Sequence, residues 1–444
     1  MAKPNVGIIG MGLMGRMYAK RFSAAGYIVN ACDRPAKYQE LKAEFADKQN
    51  VNVLPNGHLV SRISDWIIYS VEAEMIDSVV AEFGPSTKVG AIVGGQTSCK
   101  APELAAFEKH LPSDVEIVTC HSLHGPGVDP KGQPLVIVKH RASQKSADTV
   151  QEILSCLQSK VILLTGEEHD RITADTQAVT HVAFLSMGTA WAANNQFPWE
   201  IDRYVGGIEN AKINITLRIY SNKWHVYAGL AILNPAAKRQ IRQYAESVTE
   251  LYKLMLGGHR EELAQRIRQA GAAVFSKDAE SQDLLLGDEL LDKFSLSKGP
   301  KEKRPNNHLS ILAIVDCWWK LGIVPYRHMI CSTPVRRLQI LGMPELTDLR
   351  QLFRIWLGVT EYLFRNEALL SEVIDTAIND HSFRSDDLEF TFAARAWSDC
   401  VSFGSFEAYR DRFENIQRYF APRLEDAVRM GNEMIKTIME NTKT

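Results

Sequence analysis

The segment VGIIGMGLMG, residues 6–15, constrains the fold of this chain more than any other. A short apolar run leads into three glycines, Gly10, Gly12 and Gly15, in the spacing G-x-G-x-x-G, and a helical pattern follows. In a βαβ unit these glycines give a tight turn, a close backbone approach to a pyrophosphate and close helix-to-strand packing. An acid that can hold a ribose, Asp33, ends the next apolar run. The segment therefore predicts a dinucleotide site.

The sequence leaves the identity of the dinucleotide open. Asp33 would accept a hydrogen bond from a ribose 2'-hydroxyl, whereas Arg34 and Lys37 beside it could hold a 2'-phosphate. Both NAD and NADP are compatible with these residues. The predicted cofactor contacts are Gly10, Met11, Gly12, Leu13, Met14, Gly15, Asp33 and Arg34.

Seven short apolar runs alternate with helical patterns from residue 5 to about residue 165. They are VGIIG, YIVNACD, DWIIYSV, KVGAIVG, VEIVTC, PLVIV and VILLT. Strands that alternate with helices form parallel sheets covered on both faces. We therefore predict that residues 1–167 form a Rossmann-type domain with a doubly wound parallel sheet.

The pattern changes after residue 167, where long segments carry apolar residues at helical spacing. These segments are Thr173–Ala193, Asn214–Leu233, Pro235–Leu256 and Arg260–Phe275. The polar run Leu296–His308 is the candidate linker, and further helical segments follow it. An all-α part is thus predicted, with a helical domain at 168–295 and a second helical region at 308–444.

The helical part also contains signs of a duplication. At an offset of 127 residues His181 aligns with His308, Leu185 with Leu312, Trp191 with Trp318 and Pro198 with Pro325. After a further slip, LRIY at 217–220 meets FRIW at 353–356. Helical amphipathicity alone would supply the leucine match, so a duplicated unit and a single irregular one are both kept open.

The composition favours a small-molecule substrate. The 51 basic residues are balanced by 53 acidic ones, and the net charge of −2 offers no footprint for nucleic acid or an anionic membrane. Seven scattered cysteines without a C-x-x-C pair fit reduced thiols. The N-terminus lacks a secretory leader pattern, and no apolar run approaches the ~20 residues of a membrane span. We expect a cytoplasmic protein.

Polar turns follow two neighbouring predicted strands, at the sheet edge where such folds bind ligands. GGQTSCK, residues 94–100, follows the fourth predicted strand, and CHSLHGP, residues 120–126, follows the fifth. Hydride removal from an alcohol carbon needs an acceptor for the hydroxyl proton, and imidazole, with a pKa of about 6.5, suits this role. His121 is therefore the predicted catalytic group. Ser98 is placed to hydrogen-bond His121, the hydroxyl or the nicotinamide amide.

A metal site is the alternative for the second of these turns. His121 and His124 are three residues apart, but no third ligand stands at a suitable spacing. We therefore expect no metal.

Together these motifs resemble the prephenate dehydrogenases of tyrosine biosynthesis, most closely the fungal NADP-dependent enzymes. That family pairs a Gly-Ser-x-Lys turn with a His-Pro-x-x-Gly turn. TSCK and HSLHG stand here in that order, although Ser122 replaces the proline. HDRITADTQAVTH, residues 169–181, is similar to the next family motif, and the carboxylate-binding arginine of the family falls on Arg218. The resemblance to the fungal enzymes covers nearly the whole chain.

The resemblance implies oxidative decarboxylation of prephenate to 4-hydroxyphenylpyruvate, with the C4 hydride passing to NADP. It implies that His121 accepts a hydrogen bond from the C4 hydroxyl and that Ser98 orients His121. A bidentate contact between an arginine and a substrate carboxylate is also implied. The implied substrate-contact residues are Arg218, His181, Gln177 and Lys100. Because relatives dimerise through their helical domains, a homodimer is expected.

Other functions remain open at this stage. Arogenate dehydrogenase acts on a neighbouring substrate that differs by an amine. A 3-hydroxyacid or 6-phosphogluconate dehydrogenase would use a helix lysine, which Lys212 in GGIENAKINI partly matches, but those enzymes lack HSLHG. A non-catalytic NADP-sensing module would need no proton acceptor. In structural alternatives His181 is a core residue, Arg218 an internal ion-pair partner and Lys100 a solvated charge.

Overall fold

The structure, a computed structural model, describes residues 3–125, 127–201, 206–275, 291–296, 305–325, 349–427 and 429–430. The chain divides into two compact units, Met1–Arg171 and Ile172–Thr444. The finer division of the helical part into two domains stays a prediction, as does its duplication.

The first unit is built on one sheet of eight strands in the order β3-β2-β1-β4-β5-β6-β7-β8. The strands are β1 Val6–Ile9, β2 Val29–Cys32, β3 Val51–Val53, β4 Trp66–Tyr69, β5 Ile92–Gly95, β6 Glu116–Ser122, β7 Pro134–Lys139 and β8 Lys160–Leu163. The strands β1 to β6 are parallel, β7 is antiparallel to β6, and β8 is parallel to β7. The strand order reverses between β1 and β4, which places the ligand crevice at the carboxyl ends there. The predicted doubly wound sheet is confirmed, with two reversed strands at one edge.

Helices cover both faces of this sheet. They are α1 Leu13–Ala24, α2 Tyr38–Glu44, α3 Gly57–Ile63, α4 Ile76–Phe83, α5 Lys100–His110, α6 Gln144–Leu154 and α7 Gly166–Thr173. Alternate residues of β4 serve the two faces: Trp66 and Ile68 pack with α1 in one apolar cluster, and Ile67 and Tyr69 pack with α4 and α5 in the other. Burial on both faces explains why these strands are continuous apolar runs.

The sequence did not reveal β3. This strand has three residues at the sheet edge, and its central Asn52 is exposed. A segment this short and polar carries no recognisable apolar run. GGQTSCK and CHSLHGP consequently follow the fifth and sixth strands rather than the fourth and fifth, although both still lie at the carboxyl edge.

The described part of the second unit is helical. Its helices are α8 Val179–Ala193, α9 Ile208–Tyr220, α10 His225–Leu233, α11 Pro235–Leu256, α12 Arg260–Val274, α13 Leu309–Leu321, α14 Leu349–Arg365, α15 Glu367–Asn379, α16 Arg384–Phe403 and α17 Phe406–Phe420. A π-helical turn, Ala174–Ala178, joins α7 to α8. The helices share one large apolar core, in which Trp199 and Trp318 are buried and Trp191, Trp224 and Trp319 are partly buried.

Two predicted helices in this unit had different outcomes. The bounds of α11 match the prediction, because Asn234 accepts hydrogen bonds from the Ala236 and Ala237 N–H groups and Pro235 occupies the first helical position. The predicted helix Asn214–Leu233 is wrong as a single element, since α9 ends at Tyr220 and α10 begins at His225. Neither glycine nor proline marks this break, and apolar spacing continues across it.

No helix in the described ranges is long and apolar enough to cross a membrane. Six of the seven cysteines lie in those ranges, and each is a free thiol: Cys32, Cys99, Cys120, Cys156, Cys317 and Cys400. Cys331 lies outside the described residues.

Candidate active site

The glycine turn after β1 has the geometry of a dinucleotide cradle. Gly10 has a φ of +101°, and a Cβ added there would lie 2.4 Å from the Ser70 carbonyl oxygen. A Cβ on Gly15 would lie 2.1 Å from the Gly10 oxygen. At Gly12, by contrast, an added Cβ would meet no atom within 4 Å. The fold itself therefore requires Gly10 and Gly15, whereas the space at Gly12 is open to a ligand.

The first turn of α1 completes this cradle. Gly12 is the N-cap residue, no side chain within the described ranges caps the helix, and its first turn carries no acidic residue. The N–H groups and the positive end of the helix dipole are thus available to an anion. The turn fits the pyrophosphate of a dinucleotide.

Replacement of Gly12 with alanine tests this assignment. Gly12 has φ −67° and ψ −169°, which alanine adopts without strain, so we expect unfolding stability to change by less than about 0.5 kcal/mol. The added methyl group would occupy pyrophosphate space, and we expect dinucleotide affinity to fall by about tenfold or more. Fluorescence titration with reduced nicotinamide dinucleotides measures the loss. Gly15→Ala is the matched control, which should lose stability as well. Unchanged affinity in Gly12→Ala would contradict the assignment.

Asp33 is engaged within the protein. Its Oδ2 accepts a hydrogen bond from the Met11 N–H at 2.8 Å, and its Oδ1 accepts one from the Arg34 N–H at 2.7 Å. The Arg34 side chain is 79% exposed, and its Nε lies 3.8 Å from Asp33 Oδ1. Asp33 therefore ties the glycine turn to the end of β2, while the guanidinium of Arg34 faces solvent.

His121 lies near the carboxyl end of β6. Pairing between β5 and β6 joins Ile92 to Glu116 and Val93 to Ile117, so β6 continues past the level of Gly95, where β5 ends. This extension places the partly exposed imidazole at the edge where a Rossmann sheet binds its ligands. The position agrees with the prediction, although the catalytic role itself stays a prediction.

The imidazole of His121 forms the end of a hydrogen-bonded chain of three side chains. Its Nδ1 lies 2.8 Å from His169 Nε2, and His169 Nδ1 lies 2.8 Å from Asp170 Oδ1. Asp170 also accepts hydrogen bonds from the N–H groups of Lys100 and Ala101, at 2.6 and 2.7 Å. The side chains of His169 and Asp170 are 1% and 7% exposed. The carboxylate thus caps α5 and holds the second ring against the first.

Burial and hydrogen bonding set the charges in this chain. Burial lowers the pKa of His169, more than the hydrogen bond to Asp170 raises it. Burial alone would raise the pKa of Asp170, but hydrogen bonds from His169 and the Lys100 N–H hold it below its usual value. Near neutral pH the chain therefore consists of a carboxylate and a neutral imidazole behind His121.

Lys100 does not have the environment of a substrate ligand. Its side chain is fully buried, and Nζ lies 2.8 Å from Glu103 Oε1, 3.2 Å from Thr119 Oγ1 and 2.8 Å from the Cys120 oxygen. Glu103 Oε2 in turn accepts hydrogen bonds from the Thr97 N–H and hydroxyl. The ammonium group is fully used inside the domain. The predicted substrate contact is therefore not supported, and neither is the solvated alternative, because Lys100 joins the two polar turns.

The remaining groups of these turns are less constrained. Ser98 is partly exposed in the turn between β5 and α5, and its predicted orienting role stays a prediction. His124 is 7% exposed, and its Nδ1 lies 2.9 Å from the Gly125 oxygen. No group of three or more possible metal ligands occurs among the described residues.

In the second unit, His181 is buried in α8. The residue is 7% exposed, and its ring packs edge-on against Tyr227 with centroids 4.8 Å apart. Burial lowers the pKa of His181 to about 3, so its imidazole is neutral near pH 7. A neutral ring can exchange hydrogen bonds with a substrate but offers no positive charge to a carboxylate.

Arg218 and Tyr227 are neighbours at the junction of α9 and α10. Burial raises the pKa of Tyr227, and the Arg218 charge offsets part of that rise. Asn222 Nδ2 donates to the Arg218 carbonyl oxygen at 3.1 Å and to the Tyr227 hydroxyl at 3.0 Å. Arg218 is partly buried, and Gln177 is partly buried in the π-helical turn. Tyr227 thus links the predicted substrate residues Arg218 and His181 within this unit.

Sequence reasoning gave no role to His169, Asp170 or Tyr227. The first two stand in the HDR motif, so a signal was present, but nothing in the sequence shows which group they contact. Tyr227 lies in an apolar stretch of α10 and resembles any other core aromatic residue.

Comparisons with known proteins agree with these features. A family model described as a 6-phosphogluconate dehydrogenase C-terminal domain matches residues 178–440. Another, described as NADP oxidoreductase coenzyme F420-dependent, matches residues 5–93. The chain is 58% identical over 439 residues to the probable prephenate dehydrogenase (NADP(+)) of Schizosaccharomyces pombe, covering 98% of each chain. It is 54% identical over 446 residues to the prephenate dehydrogenase (NADP(+)) of Saccharomyces cerevisiae, covering 98% of this chain and 94% of that one.

Among solved structures, the fold is similar to a prephenate dehydrogenase from A. aeolicus in complex with hydroxyphenyl propionate and NAD+. The TM-score is 0.47 at 18% identity, over 61% of this chain and 96% of that chain.

Proposed function

Because the chain belongs to the family of NADP(+)-dependent prephenate dehydrogenases, we propose that His121 is the proton-accepting group in the oxidative decarboxylation of prephenate. The observation that carries this proposal is the position of His121 at the carboxyl end of β6, with Nδ1 held by His169. This edge of the sheet also carries the glycine turn that fits a dinucleotide.

The chemistry asks little of the protein beyond positioning and one proton acceptor. NADP(+), when bound, accepts the hydride that leaves C4 of prephenate. His121 accepts a hydrogen bond from the C4 hydroxyl and takes up its proton as positive charge develops there. The bond to the ring carboxylate breaks, carbon dioxide leaves, and its electron pair completes the aromatic ring of 4-hydroxyphenylpyruvate. Ser98, in the neighbouring turn, orients the imidazole or the hydroxyl.

The cofactor is NADP(+), and the geometry beside β2 supports the residue that recognises its extra phosphate. Both oxygens of Asp33 already accept backbone N–H groups. The exposed guanidinium of Arg34 is the adjacent cation and can form a forked contact with a 2'-phosphate. We therefore assign Arg34 to the 2'-phosphate and Asp33 to the turn itself.

Arg218 is proposed to bind a carboxylate of prephenate, with His181 and Gln177 as neutral hydrogen-bonding partners. We expect Arg218→Ala to raise the apparent KM for prephenate ~10- to 150-fold, since a hydrogen bond to a charged group contributes about 1.5–3 kcal/mol. The KM for NADP(+) should change little. Arg218→Lys, which keeps the charge but loses the fork, should fall between the two. Steady-state kinetics measures both constants, and a KM for prephenate within twofold of wild type would remove Arg218 from the substrate site.

A spectrophotometric assay tests the proposed function as a whole. Prephenate and arogenate are each offered with NAD(+) and NADP(+), and reduction of NADP(+) by prephenate is expected to be the fastest of the four reactions. Faster turnover of arogenate would identify an arogenate dehydrogenase. Binding of NADP(+) without turnover of any substrate would identify a sensing module.

The helix-lysine alternative has little structural support. Lys212 is buried, with Nζ 2.6 Å from Glu209 Oε1 and 3.0 Å from His308 Nδ1. A catalytic lysine of a 3-hydroxyacid or 6-phosphogluconate dehydrogenase would have to leave this ion pair. Turnover of 6-phosphogluconate in the assay, without turnover of prephenate, would restore that alternative.

We further propose that the protein is cytoplasmic and forms a homodimer through its helical unit. Three large apolar side chains on one face of α16 support an interface with a second copy: Leu388, Phe392 and Phe403 are 39%, 57% and 84% exposed. Light scattering on the full chain tests the proposal, and a monomer at micromolar concentration would contradict it.

A further inference from the structure

We propose that His169 and Asp170 are positioning residues that fix the tautomer of His121, so that Nε2 is the atom that accepts the substrate proton. The inference rests on the proposed role of His121 as the acceptor. It goes further by naming the accepting atom and the two side chains that select it.

The first step is the state of Asp170. Its two oxygens accept the Lys100 and Ala101 N–H groups at the start of α5, at 2.6 and 2.7 Å. Cys99 Sγ lies 3.4 Å from Oδ2 as a third donor. Every one of these neighbours is a donor, and the positive end of a helix dipole favours the ionised form. Asp170 is therefore a carboxylate that only accepts.

The second step is the proton on His169. Because Asp170 only accepts, His169 Nδ1, 2.8 Å away, must be the donor. Burial lowers the pKa of His169, which leaves a neutral ring with a single N–H group. That group is on Nδ1, so Nε2 carries a lone pair and acts as an acceptor.

The third step transfers this constraint to His121. Its Nδ1 lies 2.8 Å from the accepting Nε2 of His169, so Nδ1 of His121 must carry the proton. The neutral His121 ring then has its lone pair on Nε2. When His121 takes up the C4 hydroxyl proton there, the new positive charge is stabilised through His169 by the carboxylate of Asp170. Without this chain the ring would be free to adopt the other tautomer, which presents a donor instead of a base.

A purely structural alternative exists for each residue. Asp170 would be only the cap of α5, and His169 only a buried ring packed on His121 with centroids 5.0 Å apart. Under that alternative any substitution that preserves stability would leave the proton on His121 unaffected. The proton position therefore separates the two roles.

The test measures that proton directly. In the full-length protein with 15N-labelled histidines, nitrogen chemical shifts report the tautomer of His121, assigned by comparison with His121→Asn. The wild type should show Nδ1–H. His169→Leu removes the acceptor and should abolish this preference and lower kcat by on the order of 10- to 100-fold, as loss of an outer partner does for other functional imidazoles. His169→Gln restores an amide oxygen that can accept from Nδ1–H, and it should recover the tautomer and part of kcat.

Several outcomes would overturn the inference. An Nε2–H tautomer in the wild type would do so without any variant, even if His169→Leu fails to fold. A folded His169→Leu protein that retains Nδ1–H, or a kcat within twofold of wild type, would also do so. Normal turnover in His121→Asn would instead remove the proposed acceptor, so the two failures are distinguishable.

Discussion

Replacement of His121 with asparagine lowers kcat for prephenate oxidation by a factor on the order of 10² to 10⁴ and leaves NADP(+) affinity nearly unchanged. Asparagine is smaller, remains polar and can hydrogen-bond the substrate hydroxyl, but it cannot take up a proton. The loss therefore measures proton acceptance rather than binding. Affinity should persist because the cofactor cradle consists of the glycine turn and the start of α1, neither of which contains His121.

The same turn supplies a matched control. His124 is three residues away, is buried, and has its Nδ1 2.9 Å from the Gly125 oxygen. We expect His124→Asn to keep kcat within about threefold, because the new amide can still donate to that carbonyl. Kinetics with saturating prephenate and a fluorescence titration with NADPH give both quantities for each variant. Equal losses in the two variants would indicate that the turn, rather than the imidazole of His121, supports turnover.

The parts of the fold that the sequence predicted depend on local chemistry. The glycine turn follows from positions where a side chain would collide with Ser70 or Gly10, and such collisions force a recognisable spacing. The strands of the sheet centre are apolar throughout because both faces are covered. The edge strand β3 and the break after Tyr220 carry no such constraint, since each depends on packing against distant segments.

The same distinction explains the site. His121 was predictable because the carboxyl ends of parallel strands meet at one edge, whichever strands they are. Its partner His169 is 48 residues farther along, and their contact depends on how α7 packs against the sheet. Lys100 was misassigned because its ion-pair partner, Glu103, stands three residues later, a spacing common on exposed helices. Only the fold shows that this pair is buried.

The buried pair leads to the largest stability change that we expect. Lys100 and Glu103 are both fully buried, and together they hold Thr97, Thr119 and the Cys120 carbonyl. Removal of one partner leaves the other charge buried without compensation. Lys100→Met should therefore lower the free energy of unfolding by about 3–5 kcal/mol.

A second variant and a matched control separate this effect from simple loss of a lysine. In Lys100→Met/Glu103→Leu both charges are absent, so the double variant should recover much of the stability lost by Lys100→Met alone. Lys109 lies on the exposed side of the same helix, 3.3 Å from Asp77, and Lys109→Met should change stability by less than about 0.5 kcal/mol. Urea unfolding followed by circular dichroism compares the three proteins with wild type. If Lys100→Met were as stable as Lys109→Met, the buried pair would contribute nothing to the fold, and the link between the two polar turns would need another explanation.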